Sequence, residues 1–169
     1  MKSQIAAASL LTVLVAAVPI TTRADTGVSA VYNVPAGKLW QTIDFHQPSE
    51  NVMPPVASST REGRGLGATK VNVLKGGGEV HLLLVYYEPA ERAFNYTIQS
   101  SPLPVKNYVG EVRVKKLGSK RSRLTWHGTY DPDGVSEDKA DEILGGFYQA
   151  IFKRVGEMHE MQGMEMMDE

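Results

Sequence analysis

The chain has 169 residues, no cysteine and a formal net charge of −1 at pH 7, with 18 lysines and arginines against 19 aspartates and glutamates. This length fits one domain, which can bury a sizeable apolar core without cross-links. The near balance of charge argues against a polyanionic partner, so we predict no nucleic-acid binding, and the lack of cysteine excludes disulfides and thiolate chemistry.

The first 24 residues have the pattern of a signal peptide. A positively charged start leads into a mostly apolar stretch at residues 5–20, and small residues end the segment at Ala24. An uncleaved membrane anchor is the alternative, but the apolar stretch is short for a span of about 20 residues and ends in a proline. We therefore expect a periplasmic or secreted protein that begins near Asp25 and has no membrane span.

The expected mature domain, residues 25–157, opens with a strand and a short helix. Residues 28–34 alternate between apolar and polar side chains and lead into Pro35, which ends the strand. Residues 36–45 then predict a short helix, because they place apolar side chains at helical spacing, at Leu39, Trp40 and Ile43.

Five short runs between residues 67 and 130 predict strands of one antiparallel meander. They are rich in valine, threonine, tyrosine or leucine, and glycine, proline or charged clusters separate them. The runs are residues 68–74, 79–87, 93–101, 108–117 and 123–130, and residues 56–62 are a candidate for a further strand.

A long amphipathic helix is predicted from Ser136 onward. Ser136 is a suitable N-cap, and Glu137 and Asp138 lie where the helix dipole favours negative charge. The pattern leaves open whether Gly145 and Gly146, which interrupt the apolar stripe, serve close packing or a hinge. The stripe consists of Ile143, Leu144, Phe147, Tyr148, Ile151, Phe152 and Val155.

Three segments resemble one protein superfamily. They are Val-Pro-Ala-Gly-Lys-Leu-Trp at residues 34–40, Pro-Leu-Pro-Val-Lys-Asn-Tyr at 102–108 and Leu-Thr-Trp-His-Gly-Thr-Tyr at 124–130. They are similar to segments of the polyketide cyclase/dehydrase and lipid-transport proteins of the START-like (SRPBCC) superfamily, and within it to the exported accessory proteins of bacterial methanol oxidation. The resemblance implies an α+β, helix-grip (START/Bet v 1-like) fold, in which a curved seven-stranded antiparallel sheet surrounds a long C-terminal helix and an apolar cavity.

Strand alternation nominates the residues that face such a cavity, because alternate side chains of a sheet with one buried face point inward. A solid core is the alternative, but the tyrosines and the tryptophan among these residues favour a cavity, since a buried donor needs a partner. The predicted ligand-binding residues, two of them on the final helix, are Leu82, Leu84, Tyr86, Phe94, Tyr96, Ile98, Val112, Val114, Leu124, Trp126, Tyr130, Phe147 and Ile151.

No catalytic residue is predicted. The four histidines are scattered along the chain, and strand alternation points His81 and His127 outward. The sequence shows neither a nucleophile motif nor paired carboxylates on one inner face. The leading interpretation is a domain that binds an apolar small molecule or an exported partner protein without catalysis, and the alternative is an enzyme of cyclase/dehydrase type.

Residues 158–169 form a Met-rich acidic tail. Thioether and imidazole groups suit Cu(I), so the tail suggests copper as the one candidate cofactor, in an accessory role added to ligand binding. The alternative is a frayed helix end followed by a disordered tip. The candidate metal ligands are Met158, His159, Met161, Met164, Met166 and Met167.

Overall fold

The computed structural model describes residues 23–167 of the chain. Residues 1–22, which hold nearly all of the predicted signal peptide, and residues 168–169 lie outside the described residues. Within the described range, no helix is both long enough and apolar enough to cross a membrane.

Strands and helices follow one another much as the hydropathy pattern predicts. A single 3₁₀ turn at Ser49–Asn51 lies between α1 and β2. In chain order the elements are β1 (Ala24–Tyr32), α1 (Ala36–Ile43), β2 (Val56–Glu62), β3 (Thr69–Leu74), β4 (Glu79–Glu88), β5 (Ala93–Ser100), β6 (Val105–Lys116), β7 (Ser122–Pro132), α2 (Glu137–Met158) and β8 (Met161–Met167).

All strands belong to one antiparallel sheet. Its order is β2-β3-β4-β5-β6-β7-β1-β8, so β2 to β7 form a meander and β1 adds beside β7. The register places Val28 and Val112 on either side of Trp126, and all three side chains are buried. The core therefore lies on the face of the sheet that α1 and α2 cover.

The long helix begins as the sequence predicts. The Ser136 side chain accepts a hydrogen bond of 3.3 Å from the Lys139 amide, and two acids follow in the first turn. The helix continues through both glycines, and a Cβ at Gly145 would lie 3.4 Å from the Met166 methyl group. The 3.4 Å distance is an ordinary contact with the end of a flexible side chain, and a Cβ at Gly146 would meet nothing within 4 Å, so close packing requires glycine at neither position.

Residues 161–167 of the Met-rich tail form a strand, so the alternative of a disordered end is wrong for these residues, and the described sheet has eight strands instead of seven. β8 pairs with β1 from Met167 opposite Gly27 to Met161 opposite Tyr32. This pairing occupies the free hydrogen-bonding edge of β1. The sequence pattern of the tail did not show it, because the partner strand lies far away in the sequence.

Tyr86 does not face the interior, which corrects its predicted orientation. The pairing of β4 with β5 shifts register between Leu84 and Tyr86, so the inward position passes to Tyr87. Tyr86 is 38% exposed as a result. A β-bulge inserts one residue and reverses the alternation beyond it, which a strict period of two cannot anticipate.

Candidate functional site

Two small cavities lie between the sheet and the elements that cover it. The helix cavity, of about 40 Å³, is bounded by α2 and the strands β3 to β6. The loop cavity, of about 20 Å³, lies under the segment that joins α1 to β2. Both share Met53, Leu82 and Tyr96 as walls. A site of about 10–15 Å³ holds one water molecule, so each cavity is small as it stands.

A relay of buried aromatic donors runs between the cavities. Trp126 Nε1 donates to the Tyr96 hydroxyl at 3.0 Å, and this hydroxyl lies 3.0 Å from that of Tyr108. The Tyr108 hydroxyl is hydrogen-bonded in turn to that of Tyr148 on α2. An indole N–H can only donate, so Trp126 is the donor at one end of the relay, and Tyr148, at the other end, lines the helix cavity.

These hydroxyls remain protonated at neutral pH. Burial is the main cause that raises the pKa of Tyr96, Tyr108 and Tyr148 well above the ordinary value, and neighbouring tyrosines raise each pKa further. A phenol in this state donates hydrogen bonds and does not act as a base. The relay can therefore orient an oxygen of a ligand without removing a proton from it.

Paired glycines provide the space for the relay. Gly110 on β6 lies opposite Gly128 on β7. A Cβ at Gly110 would come within 2.5 Å of the Tyr96 ring, and one at Gly128 would come within 2.8 Å of the Tyr108 ring. The tyrosine rings therefore lie directly on the backbone of the sheet, where no larger residue fits.

A polar cluster lies beside the loop cavity. Asp44 accepts hydrogen bonds of 2.8 Å from the Tyr87 hydroxyl and from Nδ1 of His46. The Gly65 amide donates to Nε2 of the same histidine at 3.0 Å, so the ring is neutral with its proton on Nδ1. Burial and the hydrogen bond to Asp44 raise the pKa of Tyr87 to about 12. Asp44 thus joins Tyr87 and His46 in one hydrogen-bonded cluster.

The predicted cavity residues divide into three groups. Tyr86 alone lies on the outer face of the sheet. Those that line one of the cavities are Leu82, Phe94, Tyr96, Ile98, Trp126 and Phe147. Those that are buried in the core without lining either cavity are Leu84, Val112, Val114, Leu124, Tyr130 and Ile151.

The sequence analysis missed several lining residues. Tyr108 and Tyr148 were not nominated, although both follow the same inward alternation or helical stripe as residues that were. Lys70, Asn72 and Met53 gave no hydropathy signal, because polar residues and loop residues are not expected to line an apolar interior.

The candidate metal ligands do not come together as one set. Met161, Met164 and Met166 share the α2-facing side of β8, whereas Met167 lies opposite Gly27 on the outer side. His159 Nε2 instead lies 2.8 Å from the Thr42 hydroxyl of α1. Burial and then Lys38 lower the pKa of this histidine. Among residues 23–167, no group of three or more His, Asp or Glu is arranged to hold a metal ion.

The histidines of the strands lie where alternation predicts, on the outer face. His81 is 3.0 Å from Glu79, and His127 is 3.2 Å from Asp25. Neither lines the helix cavity or the loop cavity.

A scan against known protein families matches residues 23–160 to polyketide cyclase / dehydrase and lipid transport. The chain belongs to this family. The match covers the sheet up to β7, both helices and all of the residues that line the two cavities. It confirms the START-like (SRPBCC) assignment that the three sequence segments indicated.

Solved structures agree with the family fold. XoxI from Bacillus cereus is 26% identical to this chain, with a TM-score of 0.74. The match spans 80% of this chain and 94% of the XoxI chain. This likeness fits the resemblance to methanol-oxidation accessory proteins.

Two more distant structures support the fold alone. A START superfamily protein from Mycobacterium smegmatis is 11% identical over 81% of this chain and 97% of its own, with a TM-score of 0.70. The Zhui aromatase/cyclase from Streptomyces sp. R1128 is 15% identical over 80% and 96%, with a TM-score of 0.63. No curated protein is similar enough to match. The helix-grip fold is confirmed.

Proposed function

We propose that this domain binds an apolar small molecule between the sheet and α2, without catalysing a reaction. The observation that carries the proposal is the incomplete packing of that space, where two cavities share the walls Met53, Leu82 and Tyr96. Ligand sites usually enclose about 300–1,000 Å³, so binding requires side chains to move. Met53 is the side chain best suited to do so, because an unbranched thioether changes rotamer easily.

A fluorescence titration with N-phenyl-1-naphthylamine, a neutral apolar probe, tests this proposal. Leu82→Phe fills the wall that both cavities share, and we expect it to weaken probe binding at least tenfold. Leu83→Phe is the matched control, because Leu83 is the next residue of β4 and faces the other side of the sheet. Equal affinities for the two variants, or no probe binding by the unaltered protein, would contradict the proposal.

An enzyme of cyclase/dehydrase type is the second candidate. The position of Tyr148 on the wall of the helix cavity supports it, since a phenol that turns its O–H toward a ligand can polarise a carbonyl. We expect Tyr148→Phe to abolish turnover of a poly-ketone substrate under this alternative, while binding of the neutral probe persists. Absence of turnover by the unaltered protein would leave the binding function as the better account.

Export is part of the proposed function. The signal-peptide pattern and the resemblance to exported accessory proteins support a periplasmic or secreted domain that also contacts an exported partner protein. N-terminal sequencing of protein from the extracytoplasmic fraction is expected to begin at or near Asp25. Recovery of a membrane-embedded form that begins at Met1 would contradict export with cleavage.

Copper binding by the tail stays a proposal, in a narrower form. Met164 and Met166 are neighbours on the α2-facing side of β8, and thioethers are soft ligands for Cu(I). Met161 contacts α2 at Gly156 and Met166 contacts it at Gly145, so these two cannot share one ion. A competition titration with a Cu(I) chelator tests it with Met164→Leu and Met167→Leu. We expect only the former to weaken binding, and identical curves would reject the site.

A further inference from the structure

Strand β3 is turned inside out relative to its hydropathy. Its buried positions are Lys70 and Asn72, with exposed fractions of 5% and 3%, whereas Val73 is 37% exposed. A strand with this composition would bury its valines if apolar packing alone fixed its orientation. Places where a local rule fails in this way are commonly functional, because something other than core packing selects the residue.

Lys70 is a buried cation that forms no ion pair within residues 23–167. Its ammonium donates to the Gln47 carbonyl at 2.8 Å and lies 4.7 Å from the centre of the Phe45 ring. An ammonium group has three donors, so these contacts leave donor capacity toward the loop cavity that Lys70 lines. Asp44, which lines the same cavity, and Glu50 act on this charge from beyond ion-pair distance. Buried charges are normally paired directly, so Lys70 still has a place for an anion at its ammonium group.

A second polar atom points to the same place. Ser49 is 2% exposed and lines the loop cavity, and its hydroxyl has no hydrogen-bond partner among the described residues. The backbone amide of Ser49 is already held by the Ser59 hydroxyl at 2.9 Å, so the residue is fixed in position while its own hydroxyl remains unused. Ser49 and Lys70 therefore supply unused donors to one small space with an aromatic floor.

We propose that the ligand of this domain carries an acidic head group, a carboxylate, which binds Lys70 and Ser49 in the loop cavity while its apolar body extends past Met53 into the helix cavity. This inference rests on the proposed function, because it concerns the same site and specifies the class of its ligand. The ammonium and the hydroxyl each donate a hydrogen bond to the head group. Asn72, whose Oδ1 is also unpartnered within the described residues, lines the helix cavity and lies beside the body of the ligand.

Two probes that share one apolar body test the inference. The first is 8-anilino-1-naphthalenesulfonate, whose sulfonate stands in for the carboxylate, and the second is the neutral N-phenyl-1-naphthylamine. We expect Lys70→Met to lower the affinity for the anionic probe at least tenfold and to change the affinity for the neutral probe by less than twofold. Ser49→Ala should weaken the anionic probe by a smaller factor, since it removes a neutral donor.

Controls separate charge recognition from structure. Lys75→Met removes an exposed lysine just after β3. We expect it to leave the ratio of the two affinities unchanged. Lys70→Gln keeps a donor for the Gln47 carbonyl but lacks the charge. If Lys70→Met fails to fold, Lys70→Gln should show the same loss of affinity for the anionic probe.

The possible outcomes distinguish this inference from the proposed function. If the neutral probe binds, and neither Lys70→Met nor Lys70→Gln changes the affinity for the anionic probe, the inference of an acidic ligand is wrong. The proposed binding of an apolar molecule would still stand. If the substitutions lower the affinity for both probes equally, Lys70 shapes the cavity and does not recognise charge. This outcome also overturns the inference. If neither probe binds the unaltered protein, the proposed function fails together with it.

Discussion

At the scale of single residues, the sheet backbone limits what lies above it. The rings of Tyr96 and Tyr108 lie against Gly110 and Gly128, and the hydroxyl of Tyr148 reaches Gly128 from α2. A side chain at either glycine would have to displace a fully buried ring. The hydrogen-bonded relay therefore depends on two residues that contribute no atoms to it.

Gly128→Ala is expected to destabilise the protein by about 2 kcal/mol, because overpacking a buried site costs about 1–3 kcal/mol. Gly146→Ala, on α2, is the opposite case: a Cβ there meets nothing within 4 Å, and alanine stabilises a helix by up to about 1 kcal/mol relative to glycine. Chemical denaturation of both variants measures the two changes. Equal effects of the two substitutions would show that the ring of Tyr108 moves away without cost.

Lys70 makes the stability of the protein depend on alkaline pH. Burial is the main cause that lowers its pKa from 10.5 to about 8. The carboxylates of Asp44 and Glu50 raise this pKa, and Arg61 lowers it further. A decrease of this size corresponds to about 3 kcal/mol lost by the folded state while the lysine is charged. Below pH 8 this loss is complete. Between about pH 8 and 10.5 the unfolded chain holds the proton that the folded protein has released, so stability rises with pH.

We therefore expect the free energy of unfolding to rise between pH 8 and 10 relative to that of Lys70→Met, which lacks the titrating group. Above pH 10 the buried tyrosines act in the opposite direction, since they keep their protons in the folded state and lose them on unfolding. Urea denaturation of both proteins from pH 7 to 10 measures the difference. Parallel curves would mean that Lys70 keeps an ordinary pKa in the folded protein.

At the scale of whole elements, β8 changes the boundary of the sheet. It pairs along β1, and two of its methionines pack against glycine positions of α2. The Met161 side chain lies 3.3 Å from a Cβ placed at Gly156, and the Met166 methyl group lies 3.4 Å from one placed at Gly145. The methionines of the tail therefore act first as packing groups between an edge strand and a helix. This arrangement also covers an edge of β1 that would otherwise be free to pair with another chain.

Truncation after Glu160 is expected to lower the free energy of unfolding by about 2 kcal/mol, since it exposes the apolar surface that Met161 and Met164 bury. The melting temperature should fall by about 5 °C, and the freed edge of β1 should promote dimers. A chain that ends at Met167 is the matched control and should behave as the full-length protein does. If both chains melt together, β8 adds nothing to stability and the tail is loose in solution.

Some elements follow from the sequence and others do not, for identifiable reasons. The N-cap of α2 at Ser136 and the inward alternation of β7 through Leu124 and Trp126 depend on neighbours in the sequence, so pattern alone predicts them. The orientation of β3, the bulge before Tyr86 and the pairing of β8 depend on distant partners. The polar lining of the site was missed for the same reason, because hydropathy would have placed Lys70 and Asn72 outside.

At the scale of the whole molecule, binding capacity and stability compete for the same space. The relay from Trp126 to Tyr148 connects α2 to the sheet, while Met53, a flexible and only partly buried side chain, is a wall of both cavities. A rigid residue in that position would stabilise the folded state and close the site. A small residue would enlarge it, because Met53 bounds both cavities.

Met53→Ala should therefore strengthen binding of N-phenyl-1-naphthylamine several-fold while it destabilises the unliganded protein by about 2 kcal/mol, the low end of the range for shortening a core methionine to alanine. The two effects share one cause, since the atoms removed from the wall are those that a ligand must displace. Met158→Ala, at a position 45% exposed, is the control and should change neither quantity. Probe titration and thermal unfolding on the same samples measure both. A variant that loses stability without gaining affinity would show that the cavities stay separate, and that a ligand enters by moving α2 instead of Met53.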